Sequence, residues 1–373
     1  MTMRAKNFNA GPASLPLAAL ERAQGELVDF AGSGMSIMEH SHRGKAYETV
    51  HNEAMALVSE LCELPKDYTV IFVQGGASTA FAQVAMNFLI PGKVADYVVM
   101  GSWGDKAVSE GRAMAKVVSG GEVHVAASTR TGNTYARVPE QSELVLTSGA
   151  AYVHITSNET IHGVEYAVTN RKPFPKVSAP LVCDMSSDIL GRRVDFTQFD
   201  FVYAGAQKNI GPSGVSIILA KKSMIEQGRK DLPAIFQYRT HAENQSLYNT
   251  PPTFAIYLVR NTLAWLKAEG GVLWVEKRNR EKARVLYQAI DESGGFYRCP
   301  VEPLSRSIMN VVWRLPTTEL EAAFVKEAEA VRMIGLKGHR SVSGIRASIY
   351  NAVEPEWVVD LASFMKDFAK RYG

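Results

Sequence analysis

TVIFVQGGASTAFAQVAMNFL, Thr69 to Leu89, reads in three pieces. TVIFV (69–73) is a short β-branched run suited to a sheet, GGAST (75–79) is a glycine turn, and Ala80–Leu89 has a helical pattern. A strand, a glycine turn and a helix form half of a βαβ unit, and the unit recurs along the chain. ADYVVM (Ala95–Met100) precedes GSWGDKA and a helix, AKVVSGG closes another strand, and AYVHIT (Ala151–Thr156) leads into SNETIHG. APLVCD (Ala179–Asp184), DFVYAG (Asp200–Gly205) and VSIILA (Val215–Ala220) supply further strands. Strands spaced by helical segments predict an α/β fold with a mainly parallel sheet covered on both faces.

Upstream, Val50, Ala54, Leu57, Val58 and Leu61 share one face of a helix over Ala46–Leu64, which Pro65 stops. After about Thr253 the character changes. One long amphipathic helix is expected through FAIYLVRNTLAWLKAEGG and on into the 280s. Then come IMNVVWRL (Ile308–Leu315), a helix over Thr318–Met333, a basic stretch GLKGHRSVSGIRASIYN and a closing helix over Pro355–Tyr372. The expected division is a large α/β domain over 16–255 and a smaller C-terminal α+β domain over 256–373. Residues 1–15 are expected to pack with the small domain and the active site.

The chain has 373 residues, 46% of them hydrophobic and 21% charged, enough for more than one core. Its 41 Lys and Arg against 38 Asp and Glu leave +3, with no run of like charge to attract nucleic acid or a membrane surface. Cys62, Cys183 and Cys299 are odd in number, widely spaced and form no CxxC, so neither a disulfide framework nor a zinc site is indicated. The amino terminus lacks a signal-peptide core and no apolar run is long enough to span a bilayer. A cytoplasmic protein is expected.

In open α/β sheets ligands bind beyond the carboxyl ends of the strands, so polar residues directly after strands are the candidates. Gly75-Gly76-Ala77-Ser78 opens a helix and can offer backbone N–H groups to a phosphate, although it matches neither the P-loop nor the dinucleotide spacing. A tight turn without ligand is its plain alternative. Asp184 ends the apolar run LVC, where a carboxylate is costly unless it meets a cation or several donors. Trp103 lies in GSWGD, read as a loop after a strand, where a flat ring can stack on a ligand or simply join the core. Lys208 sits in YAGAQKNIGPSG among small residues; burial there favours the neutral amine, the nucleophile that bonds carbonyl carbon. An amine, a carboxylate for a pyridine nitrogen, phosphate donors and a stacking ring are what pyridoxal phosphate requires.

GGAST, GSWGDKA, SNETIHG, CDMSSDILGR, YAGAQKNIGPSG, YNTPPTF and GHRSVSGIRASIYNA together resemble the phosphoserine aminotransferases, class-V, fold-type I pyridoxal phosphate enzymes. The likeness runs from NAGPASLP at Asn9 to the last helix. It implies a large domain with a mainly parallel seven-stranded sheet and a homodimer with active sites at the interface. It makes Lys208 the Schiff-base lysine, Asp184 the partner of the pyridine nitrogen and Trp103 the stacking ring. Ala77, Ser78 and Gln207 would hold the cofactor phosphate, Thr160 would reach the ring hydroxyl oxygen, and Asn249 and Thr250 would come to the phosphate from the second subunit. Ala10 departs from the Ser or Thr of many relatives, which removes a hydroxyl contact to substrate.

A substrate with a carboxylate and a phosphate needs two anion sites, for which Arg suits better than Lys. The resemblance makes Arg346 the clamp for the α-carboxylate, with His339, Arg340, His42 and Arg43 on the phosphate or the glutamate side chain. A metal at His40-Ser-His42 is disfavoured, because no carboxylate or cysteine cluster accompanies it. The implied reaction converts L-glutamate and 3-phosphohydroxypyruvate to 2-oxoglutarate and O-phospho-L-serine, in serine biosynthesis; a second substrate, 4-phosphohydroxythreonine in pyridoxine biosynthesis, is left open by one sequence. The alternatives are a transaminase for unphosphorylated serine, alanine or glyoxylate and a non-catalytic binding protein on the same scaffold.

Overall fold

The computed structural model describes residues 4–166 and 172–373. Seven strands, β1 (Tyr68–Gln74), β2 (Val94–Val99), β3 (Glu122–Ser128), β4 (Tyr152–Thr156), β5 (Leu181–Asp184), β6 (Phe201–Gly205) and β7 (Val215–Lys221), form one sheet. Their order is β1-β7-β6-β5-β4-β2-β3. β7 runs antiparallel to β1 and β6, and the remaining pairings are parallel. The reason is local. Residues 206–214 between β6 and β7 leave no room for the crossover helix that a parallel pair needs, so the chain folds straight back.

Alternate residues of the strands enter two different cores. Val70, Phe72, Val202 and Leu219 pack on one face with Ala54 and Val58 of α2 (Lys45–Leu61), the helix that follows α1 (Leu17–Gly25). Ile71, Tyr97, Tyr203 and Ile218 pack on the other with Phe81 and Val84 of α3 (Ala77–Phe88) and Val108 of α4 (Ser102–Ala115). Strands β4 and β5 are buried at every position, which is why they read as largely apolar runs broken only by His154, Thr156 and Asp184.

Three expectations are corrected. The long helix after Thr253 is two helices, α5 (Thr253–Ala268) and α6 (Gly271–Asp291), because Gly270 and Gly271 take φ of 116° and 73°, a left-handed backbone that breaks the helix. AKVVSGG ends α4 and turns, and the strand is the following EVHVAAS of β3. Trp103 stands in the first turn of α4, not in a loop.

Ile256, Val259, Leu263 and Leu266 of α5 share the core of the sheet. A separate core begins at Ala283 of α6 and gathers β8 (Asn310–Trp313), its antiparallel partner β9 (Ile345–Ser348), α7 (Thr318–Ala330) and α8 (Pro355–Tyr372). The amino-terminal pair Lys6–Asn7 aligns parallel to Met333–Ile334 beside that second core. No helix among the described residues is long and apolar enough to cross a membrane.

Candidate active site

β6, β5, β4 and β2 are successive neighbours whose carboxyl ends share one edge. Lys208 follows the first, Asp184 ends the second, Thr160 comes just after the third and Trp103 just after the fourth. The Lys208 Nζ donates to Thr160 Oγ1 at 2.8 Å and lies 5.3 Å from the centre of the Trp103 ring. Burial lowers the pKa of this amine, while the negative charges of Asp184 and Glu159 push it back up.

Asp184 is 4% exposed. Burial raises its pKa, opposed by Lys208 and by Ser186. The Ser186 N–H and hydroxyl both donate to its Oδ1, at 2.8 and 2.5 Å. Its other oxygen has no hydrogen-bond donor among the described residues.

The amino-terminal segment covers this pocket. Gly11 has φ +143°, and a Cβ there would sit 3.4 Å from Lys208 Cγ. Ala13 N–H donates to Gln207 O at 2.9 Å, and the Tyr350 hydroxyl donates to Ala10 O at 2.9 Å. Ala10 therefore offers a backbone carbonyl already engaged by Tyr350. The turn after the lysine is pinned as well: Asn209 Oδ1 accepts from Asn351 N–H at 3.0 Å, and its amide donates to Ile189 O at 2.8 Å.

At the start of α3, Ala77 is half-buried and Ser78 exposed. A Cβ on Gly205 would lie 3.3 Å from Ala77 N and 2.7 Å from Gln207 Oε1, so glycine lets the end of β6 approach the helix start without displacing the Gln207 side chain. Gln207 Oε1 is buried without a partner.

The candidate cations are dispersed. Arg346 on β9 is half-buried with its Nε lacking a partner; burial lowers its pKa. It borders a cavity of about 360 Å³ with His162, Thr134, Arg314 and Ser341. His339 Nδ1 meets Ser341 Oγ at 2.7 Å, and its pKa is lowered by burial and then by Arg346 and Arg340. Arg340 is exposed and borders a different cavity of about 340 Å³ with Lys326 and Lys337. His42 and Thr250 form a third group beside the end of β1: His42 Nδ1 lies 3.4 Å from Thr250 Oγ1, while Thr250 O accepts from Asn249 Nδ2 at 3.1 Å and from Gln74 Nε2 at 3.0 Å. Arg43 is exposed next to it. Within one chain no hydrogen bond or ion pair joins that group to Lys208.

A family model described as Aminotransferase class-V matches residues 6–361. Over the full length of both chains the protein is 52% identical to the phosphoserine aminotransferase of Niallia circulans. It belongs to the class-V aminotransferases, within the phosphoserine aminotransferase family. It is also 50% identical to the phosphoserine aminotransferase of Bacillus subtilis over 98% of each chain. Among solved structures, the phosphoserine aminotransferase of Bacillus circulans subsp. alkalophilus aligns with a TM-score of 0.94 and 51% identity over 99% of both chains. The PLP-bound phosphoserine aminotransferase of Trichomonas vaginalis gives 0.92 and 37% over 97% of this chain and 100% of that one.

A class-V aminotransferase uses pyridoxal phosphate, and the residues present fit it. The Asp184 oxygen without a donor suits a protonated ring nitrogen, the unpartnered Gln207 Oε1 and the close approach at Gly205 suit a group held at the start of α3, and the Trp103 ring flanks the amine. Sequence reasoning passed over several aminotransferase residues that the fold brings to this pocket. Ser186 lies two residues after Asp184, at the spacing of an Asx turn, and Glu159 sits in the same SNET that gave Thr160. Tyr350, whose hydroxyl donates to Ala10 O, carried no local signal.

Proposed function

We infer that the protein transfers the amino group of L-glutamate to 3-phosphohydroxypyruvate, giving 2-oxoglutarate and O-phospho-L-serine reversibly. The observation that carries this reading is a single amine, Lys208, held by Thr160 and the Trp103 ring beside the buried Asp184. Pyridoxal phosphate, when bound, supplies an aldehyde for that amine and a ring that takes up the electron pair released at the substrate Cα.

Lys208 Nζ, with its pKa lowered by burial, is the base that removes the Cα proton. Asp184 keeps the ring nitrogen protonated, Trp103 stacks on the ring, and Thr160 hydrogen-bonds to its hydroxyl oxygen. Ala77, Ser78 and Gln207 take the cofactor phosphate. Arg346 clamps the substrate carboxylate, consistent with its half-buried guanidinium and unpartnered Nε. His339, Arg340, His42 and Arg43 receive the substrate phosphate or the glutamate side chain.

The active form in this reading is a cytoplasmic homodimer, in which Asn249 and Thr250 of the partner subunit complete the phosphate site. Exposed Val28, Met35, Met38, Phe236 and Tyr248 support a dimer, because they lie on segments flanking the His42–Thr250 contact. The 16–255 and 256–373 division belongs to the same proposal, with α5, which crosses that boundary, packed in the core of the sheet; so do the site roles given above. The test is the visible spectrum of the cofactor-loaded protein during addition of glutamate, phosphoserine, serine or alanine. Glutamate and phosphoserine are expected to change it at micromolar to millimolar levels. A response to serine or alanine equal to that with phosphoserine overturns the phosphorylated substrate.

A further inference from the structure

Glu159 is completely buried, one residue before Thr160, and its carboxylate closes the end of a helix that belongs to another part of the chain. Oε2 accepts from the Trp103 N–H at 3.0 Å and Oε1 from the Gly104 N–H at 2.8 Å. Helix α4 has no capping side chain of its own at Gly101. Glu159 fills that place from across the fold, where two N–H groups and the helix dipole favour a negative charge.

The space for this contact is made by glycine. A Cβ on Gly101 would come within 2.2 Å of Glu159 Cδ, and one on Gly104 within 3.4 Å of its Oε1. Glu159 is itself held from its backbone, since its carbonyl accepts from Gly163 N–H at 2.8 Å and His162 N–H at 3.1 Å. Burial pushes its pKa up to about 7, against the lowering effect of the Gly104 and Trp103 N–H groups and, more weakly, of Lys208.

We propose that Glu159 is a positioning residue: its two oxygens fix the backbone that carries the Trp103 ring, as the neighbouring Thr160 hydroxyl fixes the Lys208 amine. Residues 159 and 160 thus set the ring and the amine in register from one rigid dipeptide. The contribution rests on the reading of Trp103 as the stacking plate, and it acts through Trp103 rather than on the ligand itself.

The test is a double-mutant cycle on pyridoxal phosphate affinity, with Glu159→Gln, Trp103→Ala and the pair, read by spectroscopic titration of cofactor-free protein. Glu159→Gln keeps the size of the side chain but presents an NH₂ to one of the two N–H donors. It is expected to weaken cofactor binding about ten-fold, the effect of one lost charge-assisted hydrogen bond. It is also expected to change the visible circular dichroism of the bound cofactor, which reports ring tilt. In the Trp103→Ala background the same substitution should change affinity less than about two-fold, because coupled residues are not additive. Equal losses from Glu159→Gln with and without Trp103 overturn the proposal, as does an unchanged affinity in the single variant. If Trp103→Ala alone binds the cofactor as tightly as the unaltered chain, it is the stacking role of Trp103 that fails. Glu159→Asp, with the charge kept and the reach shortened, carries the same cycle should the Gln variant be insoluble.

Discussion

Asp184 is 4% exposed and receives two hydrogen bonds from Ser186, whereas Arg340 stands exposed in the loop between α7 and β9 with no hydrogen bond or ion pair among the described residues. The two belong to regions organised by different physics. Around Lys208, groups from four adjacent strand ends meet at an edge that the two cores of the sheet hold fixed, and each polar atom has few alternatives. The loop Gly338–Gly344 closes on itself, with Gly338 N–H donating to Gly344 O at 2.9 Å and the Val342 and Ser343 N–H groups to His339 O at 3.0 and 2.9 Å, and Glu321 holds its end through Gly344 N–H at 2.9 Å, but none of these bonds engages the Arg340 side chain. A pocket for bond-making is preorganised by the fold, while cations for an anionic substrate stay partly unsatisfied until charge arrives.

That contrast can be broken most directly at the amine. Lys208→Ala is expected to lower the transamination rate by about 10⁴-fold without lowering the unfolding midpoint, measured by product formation and thermal melting. An active variant ends the role given to this residue. Asp184→Asn removes the buried charge while keeping the shape, and kcat is expected to fall about 10²- to 10³-fold with folding retained. On the cationic side smaller and more selective effects are expected. Arg340→Ala should raise KM for phosphoserine about ten-fold and leave KM for glutamate within about two-fold, in steady-state measurements with each substrate. Equal losses for both would remove the phosphate role.

A further test is read by pH rather than by rate. Burial drives the His154 pKa down from 6.5 to about 3. A depressed base holds its folded-state advantage above the unfolded pKa and loses it as pH falls, so the loss runs from about 6.5 toward 3 at up to about 1.4 kcal/mol per pH unit. Chemical denaturation from pH 7 to 4 is therefore expected to give a shallower acid loss for His154→Gln than for the unaltered chain. An identical slope would mean that the buried ring does not titrate on unfolding.

The strands were readable because a strand buried on both faces is largely apolar, as VIFV, YVHI and LVCD are apart from His154 and Asp184. Lys208, Asp184 and Trp103 were readable because strand ends are where an open sheet binds ligands, whereas Thr160 came only with the family resemblance. The break at Gly270 and Gly271 was passed over because helical periodicity continues on both sides of it, although a Gly-Gly pair is itself a turn signal and both residues take left-handed angles. Glu159 escaped notice for a related reason: its partners, Trp103 and Gly104, lie more than fifty residues away.

By itself, the order of residues determined which segments could be strands or helices and which side chains had the chemistry to bond an aldehyde or bind an anion. Tertiary structure alone decided that β7 runs backwards, that α5 shares the core of the sheet, and that a carboxylate from one loop caps the helix bearing Trp103. Periodicity and local propensity act over one turn or one strand, whereas these decisions depend on contacts between distant segments whose closure is fixed only when the whole core packs.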